Sequence, residues 1–174
     1  MRRLVDAGRV RQLMRSLGAV AESAGRVYFT GGVTAVLSGW RASTIDVDLV
    51  IVPEADPLFR ALPKLKERLE LNIEIASPAH FLPEVPGWEA RSRHIGREGR
   101  LDFFHYDPYS QALAKIERDH EQDRSDVEDL IREGWVERDE LLRHFSRIEP
   151  NLYRFPAIDA VGLRRRVEEV ARSV

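Results

Sequence analysis

Apolar residues near the start of the chain recur at helical spacing. Val10, Leu13, Met14, Leu17, Val20 and Ala21 fall on one stripe, which predicts an amphipathic helix over Asp6 to Ala24 with Gly25 as its stop. The period then changes. Arg26 to Thr30 is a short apolar run that predicts a buried strand, and Gly31-Gly32 opens a second helical stretch reaching about Ser38. A polar turn over Gly39 to Ser43 leads into a second predicted strand, Ile45 to Val52. Pro53 and Pro57 bracket a loop, and Asp56 to about Leu69 returns to helical spacing. Leu71-Asn72-Ile73-Glu74-Ile75 alternates strictly, as a half-buried strand does. Ser77 to Gly87, with three prolines, is the least regular stretch. Beyond it, Ala90 to Ile95 and Arg100 to His105 flank Gly96-Arg97-Glu98-Gly99 and predict a hairpin. From Pro108 the pattern is helical, with helices predicted over Pro108–Asp119, Gln122–Glu133, Glu137–Ile148 and Ala157–Val174. The expectation is one α+β domain over residues 1–174, with a mixed β-sheet core over about 25–106 and a helical C-terminal portion over about 107–174. Connections this short argue against two independent domains.

Composition narrows the function classes. A length of 174 residues suits one domain with a real core. The net charge of −2 argues against a general nucleic-acid-coating protein, while 27 Lys and Arg leave room for a local basic groove. The absence of cysteine excludes disulfides and thiolate metal sites. No apolar run approaches membrane-spanning length, and Met1-Arg2-Arg3 is not followed by an apolar segment of signal-peptide type. A soluble cytoplasmic protein with no membrane partner is expected.

The chemistry concentrates in Thr44-Ile45-Asp46-Val47-Asp48-Leu49-Val50-Ile51-Val52, preceded by Thr30-Gly31-Gly32. Two carboxylates two residues apart on a strand project to the same face, because side chains alternate. Such a pair repels itself unless a cation lies between, and a hard divalent ion, Mg²⁺ or Mn²⁺, that completes its shell with substrate phosphates supplies one. The upstream glycines lie between a strand and a helical stretch, where bare N–H groups face an anion. Metal at one element and phosphate at the other point to phosphoryl or nucleotidyl transfer. Thr30, Gly31 and Gly32 are the candidate nucleotide-binding residues, with Arg41, Ser43 and Thr44, just before the acid pair, as candidates to touch phosphate or ribose.

Gly31-Gly32 followed by Asp46-x-Asp48 resembles the signature of the nucleotidyltransferase-fold superfamily. Downstream, Lys115 in Ala112-Leu113-Ala114-Lys115-Ile116-Glu117-Arg118, followed by Asp123-Arg124-Ser125-Asp126-Val127, resembles the Lys…Arg…Asp-x-x-Asp run of bacterial abortive-infection-type nucleotidyltransferases, which include type IV toxin–antitoxin toxins. The resemblance spans roughly residues 27–131. It implies a nucleotidyltransferase-like mixed sheet flanked by helices, and three carboxylates binding two Mg²⁺ ions. It assigns Asp46 and Asp48 as the first two metal ligands. The third is expected on a neighbouring strand: Glu74 follows the acid-pair strand after one helix, and Asp102 is the alternative. It further implies that Lys115 neutralises charge on the leaving group, with Asp126, and secondarily Asp123, orienting the lysine or the nucleotide. Gln122 stands where relatives often carry Lys.

The remaining signals have plainer readings. His80, His94, His105, His120 and His144 show no ligand spacing. Arg164-Arg165-Arg166 points around a helix rather than to one side, and Trp40 is commoner in packing than in base stacking. The function expected is a metal-dependent nucleotidyltransferase that moves NMP from an NTP, ATP among the candidates, to an acceptor hydroxyl. The acceptor is a tRNA or other RNA, a protein or a small molecule, and a toxin-like role with an antitoxin partner follows by analogy. A non-catalytic nucleotide-binding or antitoxin-partner module and an antibiotic-modifying nucleotidyltransferase are the alternatives.

Overall fold

The stripe Val10, Leu13, Met14 and Leu17 folds as α1 (Ala7–Val20), with Asp6 capping its start by accepting from the Arg9 N–H at 2.9 Å. The helix ends four residues before the expected stop. Val20 is exposed, Ala21 packs partly against the core but already in an extended conformation, and Gly25 instead opens the first strand. The computed structural model describes residues 4–173; the Met1-Arg2-Arg3 reading and the predicted helix end at Val174 lie outside the described residues. The chain divides into two units, one made of the residues up to Ser77 with Ser92–Tyr106, the other of Pro78–Arg91 with the residues from Asp107 onward.

The first unit is a five-stranded mixed sheet with helices. Its strands are β1 (Gly25–Thr30), β2 (Asp46–Val52), β3 (Asn72–Ile75), β4 (Arg93–Glu98) and β5 (Leu101–His105), in the order β3-β2-β1-β5-β4. β1 is antiparallel to β2 and parallel to β5; β2 is parallel to β3; β4 and β5 form a hairpin. One face carries Val27, Phe29, Val47, Leu49, Ile51, Ile73, Leu101 and Phe103. It forms the core with α1 and with Leu58, Leu62, Leu65 and Leu69 of α3 (Asp56–Leu69). A short helix, α2 (Gly32–Leu37), joins β1 to the loop before β2.

The hairpin differs from the expectation. Trp88–Arg91 forms a helical turn, α4, and β4 begins only at Arg93 and runs to Glu98. The turn is Gly99-Arg100 because Gly99 adopts φ +58°, which a Cβ would disfavour. Gly96 is instead absorbed into the strand next to a register shift between His94 and Gly96.

The second unit is helical, with α4, α5 (Pro108–Arg118), α6 (Glu121–Arg132), α7 (Arg138–Ile148) and α8 (Ala160–Arg172). α5 packs on α6 and α8, and α7 on α8. Leu113, Leu130, Leu141, Phe145, Leu163 and Val167 are buried there. Asp107 is wholly buried. It caps α5 through the N–H groups of Tyr109 and Ser110 and receives two guanidinium hydrogen bonds from Arg91, at 3.0 and 2.8 Å. Among the described residues no helix is long and apolar enough to cross a membrane.

Candidate functional site

Alternation along β2 turns Val47, Leu49 and Ile51 into the core and leaves Asp46, Asp48 and Val50 on the opposite face. The ladders set their neighbours. Thr30 of β1 lies opposite Asp48, which lies opposite Glu74 of β3, and Asp46 lies opposite Asn72. Paired residues in a sheet share a face, so Asp46, Asp48 and Glu74 project together at one end of adjacent strands. Asp102 does not join them. It pairs with Arg26, four residues back along β1 from Thr30, which puts it about 13 Å farther along the sheet. There it is engaged by His94 at 3.1 Å and by Arg97 at 3.4 Å. Of the two candidates for a third carboxylate, Glu74 is the one beside the acid pair.

Asn72, which sequence reasoning passed over, completes this face. Its amide Nδ2 donates to Asp46 Oδ1 at 2.6 Å and to Glu74 Oε1 at 3.2 Å. Two amide hydrogens between two carboxylates relieve part of the repulsion that a cation would otherwise offset. The signal was present in the strand's own alternation, since Asn72 precedes Glu74 by two residues. As they stand, no three or more acidic or histidine side chains among the described residues converge tightly enough to hold an ion. The donors themselves are hard carboxylate oxygens on a shared face, the type that suits Mg²⁺ or Mn²⁺.

The glycines press on the acids. Gly31 adopts φ +64° and ψ −137°, a conformation almost confined to glycine, and a Cβ there would lie 3.0 Å from Asp48 Oδ2. A Cβ on Gly32 would meet Thr44 Oγ1 at 2.2 Å and Arg41 Nη1 at 3.0 Å. The loop carrying Arg41 and Thr44 therefore lies directly against the start of α2. That loop is anchored by the Trp40 N–H on Ala35 O at 2.9 Å and by a two-way bridge between Thr44 and Val5. The structure thus sets Thr30 and Gly31 beside Asp48 and packs Arg41 and Thr44 against Gly32, and Ser43 is half-buried in the same loop.

Lys115, Asp123 and Asp126 belong to the helical unit, all three buried. Lys115 Nζ donates to Asp126 Oδ2 at 2.6 Å and lies 3.6 Å from Asp123 Oδ1. Gln122 donates to the other oxygen of Asp126 at 3.3 Å. Asp123 is chiefly the partner of Arg118, whose Nε lies at 2.7 Å. Burial pushes the Asp123 carboxyl up, but the hydrogen bonds from Arg118 and the charges of Lys115 and Arg118 together hold it below the usual carboxylate range. It is ionised at neutral pH, and Asp126 is the acid that holds the lysine.

His105 ends β5 on the core side, its Nδ1 3.2 Å from Thr34 Oγ1. Burial, reinforced by the charge of Arg93, pulls it down to about 4. It is a neutral core residue.

A family model described as "Nucleotidyltransferase of unknown function (DUF6036)" matches residues 8–144, a span that contains both glycines, the acid pair, Glu74, Lys115 and Asp126. No curated protein and no solved structure matches the chain.

Proposed function

The chain belongs to this nucleotidyltransferase family, and we propose that it moves a nucleoside monophosphate from an NTP to a hydroxyl group with the help of Mg²⁺ or Mn²⁺. The observation that carries the reading is the shared face of Asp46, Asp48 and Glu74 beside Gly31. When bound, the cation would lower the pKa of the attacking hydroxyl and offset charge on the leaving pyrophosphate. Asp46, Asp48 and Glu74 are the residues that would hold it. The acceptor oxygen bonds to the α-phosphorus while the bond to the β-phosphate breaks, and the hydroxyl proton passes to water.

The protein's own part is binding and positioning. The missing side chains of Gly31 and Gly32 let Asp48, Thr44 and Arg41 close up against this turn, whose backbone N–H groups are the donors offered to phosphate. Thr30, Arg41, Ser43 and Thr44 supply hydroxyl and guanidinium donors for phosphate or ribose. Lys115, fixed by Asp126, supplies positive charge to the triphosphate. The acceptor class is an RNA, a protein or a small molecule, and a toxin-like role restrained by an antitoxin protein belongs to the same reading.

Calorimetry on the whole protein tests it. Mg²⁺-dependent NTP binding is expected, and Asp46→Asn/Asp48→Asn should abolish it while leaving the fold intact. Transfer of α-phosphate label to cellular RNA, protein or small molecules should require Asp48 and Glu74. Undiminished NTP binding in the folded double variant would overturn the metal assignment.

A further inference from the structure

The helical unit contains a cavity of about 460 Å³, lined by residues of α5, α6 and α8 and by the first residue of α7. Its apolar wall is Ile116 from the end of α5, Val127 and Ile131 one turn apart on α6, and Val170 on α8. Two arginines, Arg138 and Arg166, also line it, both half-buried.

Both guanidiniums are oriented by helix ends. Arg166 donates from Nε to Ile116 O at 2.9 Å and from Nη2 to Glu117 O at 3.1 Å, carbonyls that the last turn of α5 leaves without helical partners. Arg138 donates from Nη1 to Val170 O near the end of α8. Of five N–H donors each, the arginines use two and one on these carbonyls. Among the described residues neither arginine has a carboxylate within ion-pair distance. The other cations of the lining are matched, Lys115 by Asp126 and Arg124 by Asp119. Of the lining acids, Asp119 is held low chiefly by its hydrogen bond from Arg124, with the charge of Arg166 a smaller contributor, Glu169 lies near Arg165, and Glu128 is exposed on α6. Capping explains one side of each guanidinium but leaves most of their donors at a hollow of ligand size whose lining joins an aliphatic wall to charged side chains.

We infer that this cavity of the helical unit is a further ligand site, for a small organic anion: a phosphate monoester or carboxylate head on Arg138 and Arg166 with an apolar body against Ile116, Val127, Ile131 and Val170. Planar guanidiniums match either head group through paired hydrogen bonds, and the aliphatic wall selects what the head carries.

The test titrates the full chain with hexyl phosphate, hexanoate and inorganic phosphate, following backbone amide shifts in α6 and α8. Saturable binding of hexyl phosphate or hexanoate is expected, at least tenfold tighter than inorganic phosphate, and the tighter of the two identifies the head group. Arg138→Gln/Arg166→Gln should weaken it at least tenfold. Ile131→Trp, which fills the hollow and leaves both caps in place, should abolish it and decides the matter where the arginine variants do not fold. Absence of saturable binding, or undiminished binding in a folded variant, overturns the site. Inorganic phosphate binding as tightly as hexyl phosphate overturns the apolar part of the assignment. Mg²⁺-dependent NTP binding, measured on the same variants, should be unchanged, which separates this result from that of Asp46 and Asp48.

Discussion

Gly31 shows how much one residue can be asked to do. Its backbone conformation is costly for any residue with a Cβ, and the same missing Cβ makes room for the Asp48 carboxylate. Gly31→Ala should therefore destabilise the protein by about 1–3 kcal/mol, read from the urea midpoint, and also displace Asp48. Gly39 is the control, since it too has a positive φ, +79°, but nothing lies within 4 Å of where its Cβ would be. Gly39→Ala should lower stability and keep Mg²⁺-dependent NTP binding; Gly31→Ala should lose both. Equal NTP binding by the two variants would show that the contact with Asp48 is incidental. Asn72 adds a lesson of the same scale, because a neutral amide set between carboxylates is as much part of an acidic site as the acids are.

At the scale of elements, α5 and α6 are joined by charge as well as by apolar contact. Lys115 and Asp126 are buried in direct contact, so removing one partner strands the other in a low dielectric. Lys115→Met should cost about 3–5 kcal/mol, and Lys115→Met/Asp126→Leu should recover most of it, since an apolar pair of similar volume needs no desolvation compensated. Chemical denaturation of the two variants checks this, and a double variant no more stable than the single one would contradict it. Arg118 with Asp123 is the weaker partner pair because the arginine is more than half exposed. The β4–β5 hairpin makes a different point: its turn is set by the one glycine in the segment that takes a positive φ.

For the whole molecule, two histidines make stability depend on pH. His105 is lowered to about 4, and His144 is also lowered, first by burial and then by the charge of Arg91. A histidine whose folded pKa lies below its unfolded value of about 6.5 binds more protons when unfolded, so its contribution is fully present above that pH. It is lost as pH falls from about 6.5 towards the folded value, up to about 3 kcal/mol for His105 on the order-of-magnitude scale of 1.36 kcal/mol per unit. The urea midpoint should fall between pH 7 and pH 4.5, and His105→Gln should flatten that slope whatever it does to stability at pH 7. An unchanged slope would mean that His105 is reached by solvent.

The chain's order of residues was enough to determine what depends on neighbours near in sequence. Helical period placed α1, α3 and the C-terminal helices, alternation placed Asp46 and Asp48 on one side of β2, and Gly31-Gly32 marked the sharp exit from β1. These follow from side-chain direction along a single element, which a sequence contains in full. Pairing between strands distant along the chain is another matter. That Glu74 rather than Asp102 stands beside Asp48 is decided by the register of β3 and β5 against their neighbours, and both acids satisfied the same local pattern. The Asn72 bridge and the two arginines turned towards one hollow likewise depend on which surfaces meet in three dimensions, and no periodicity encodes that.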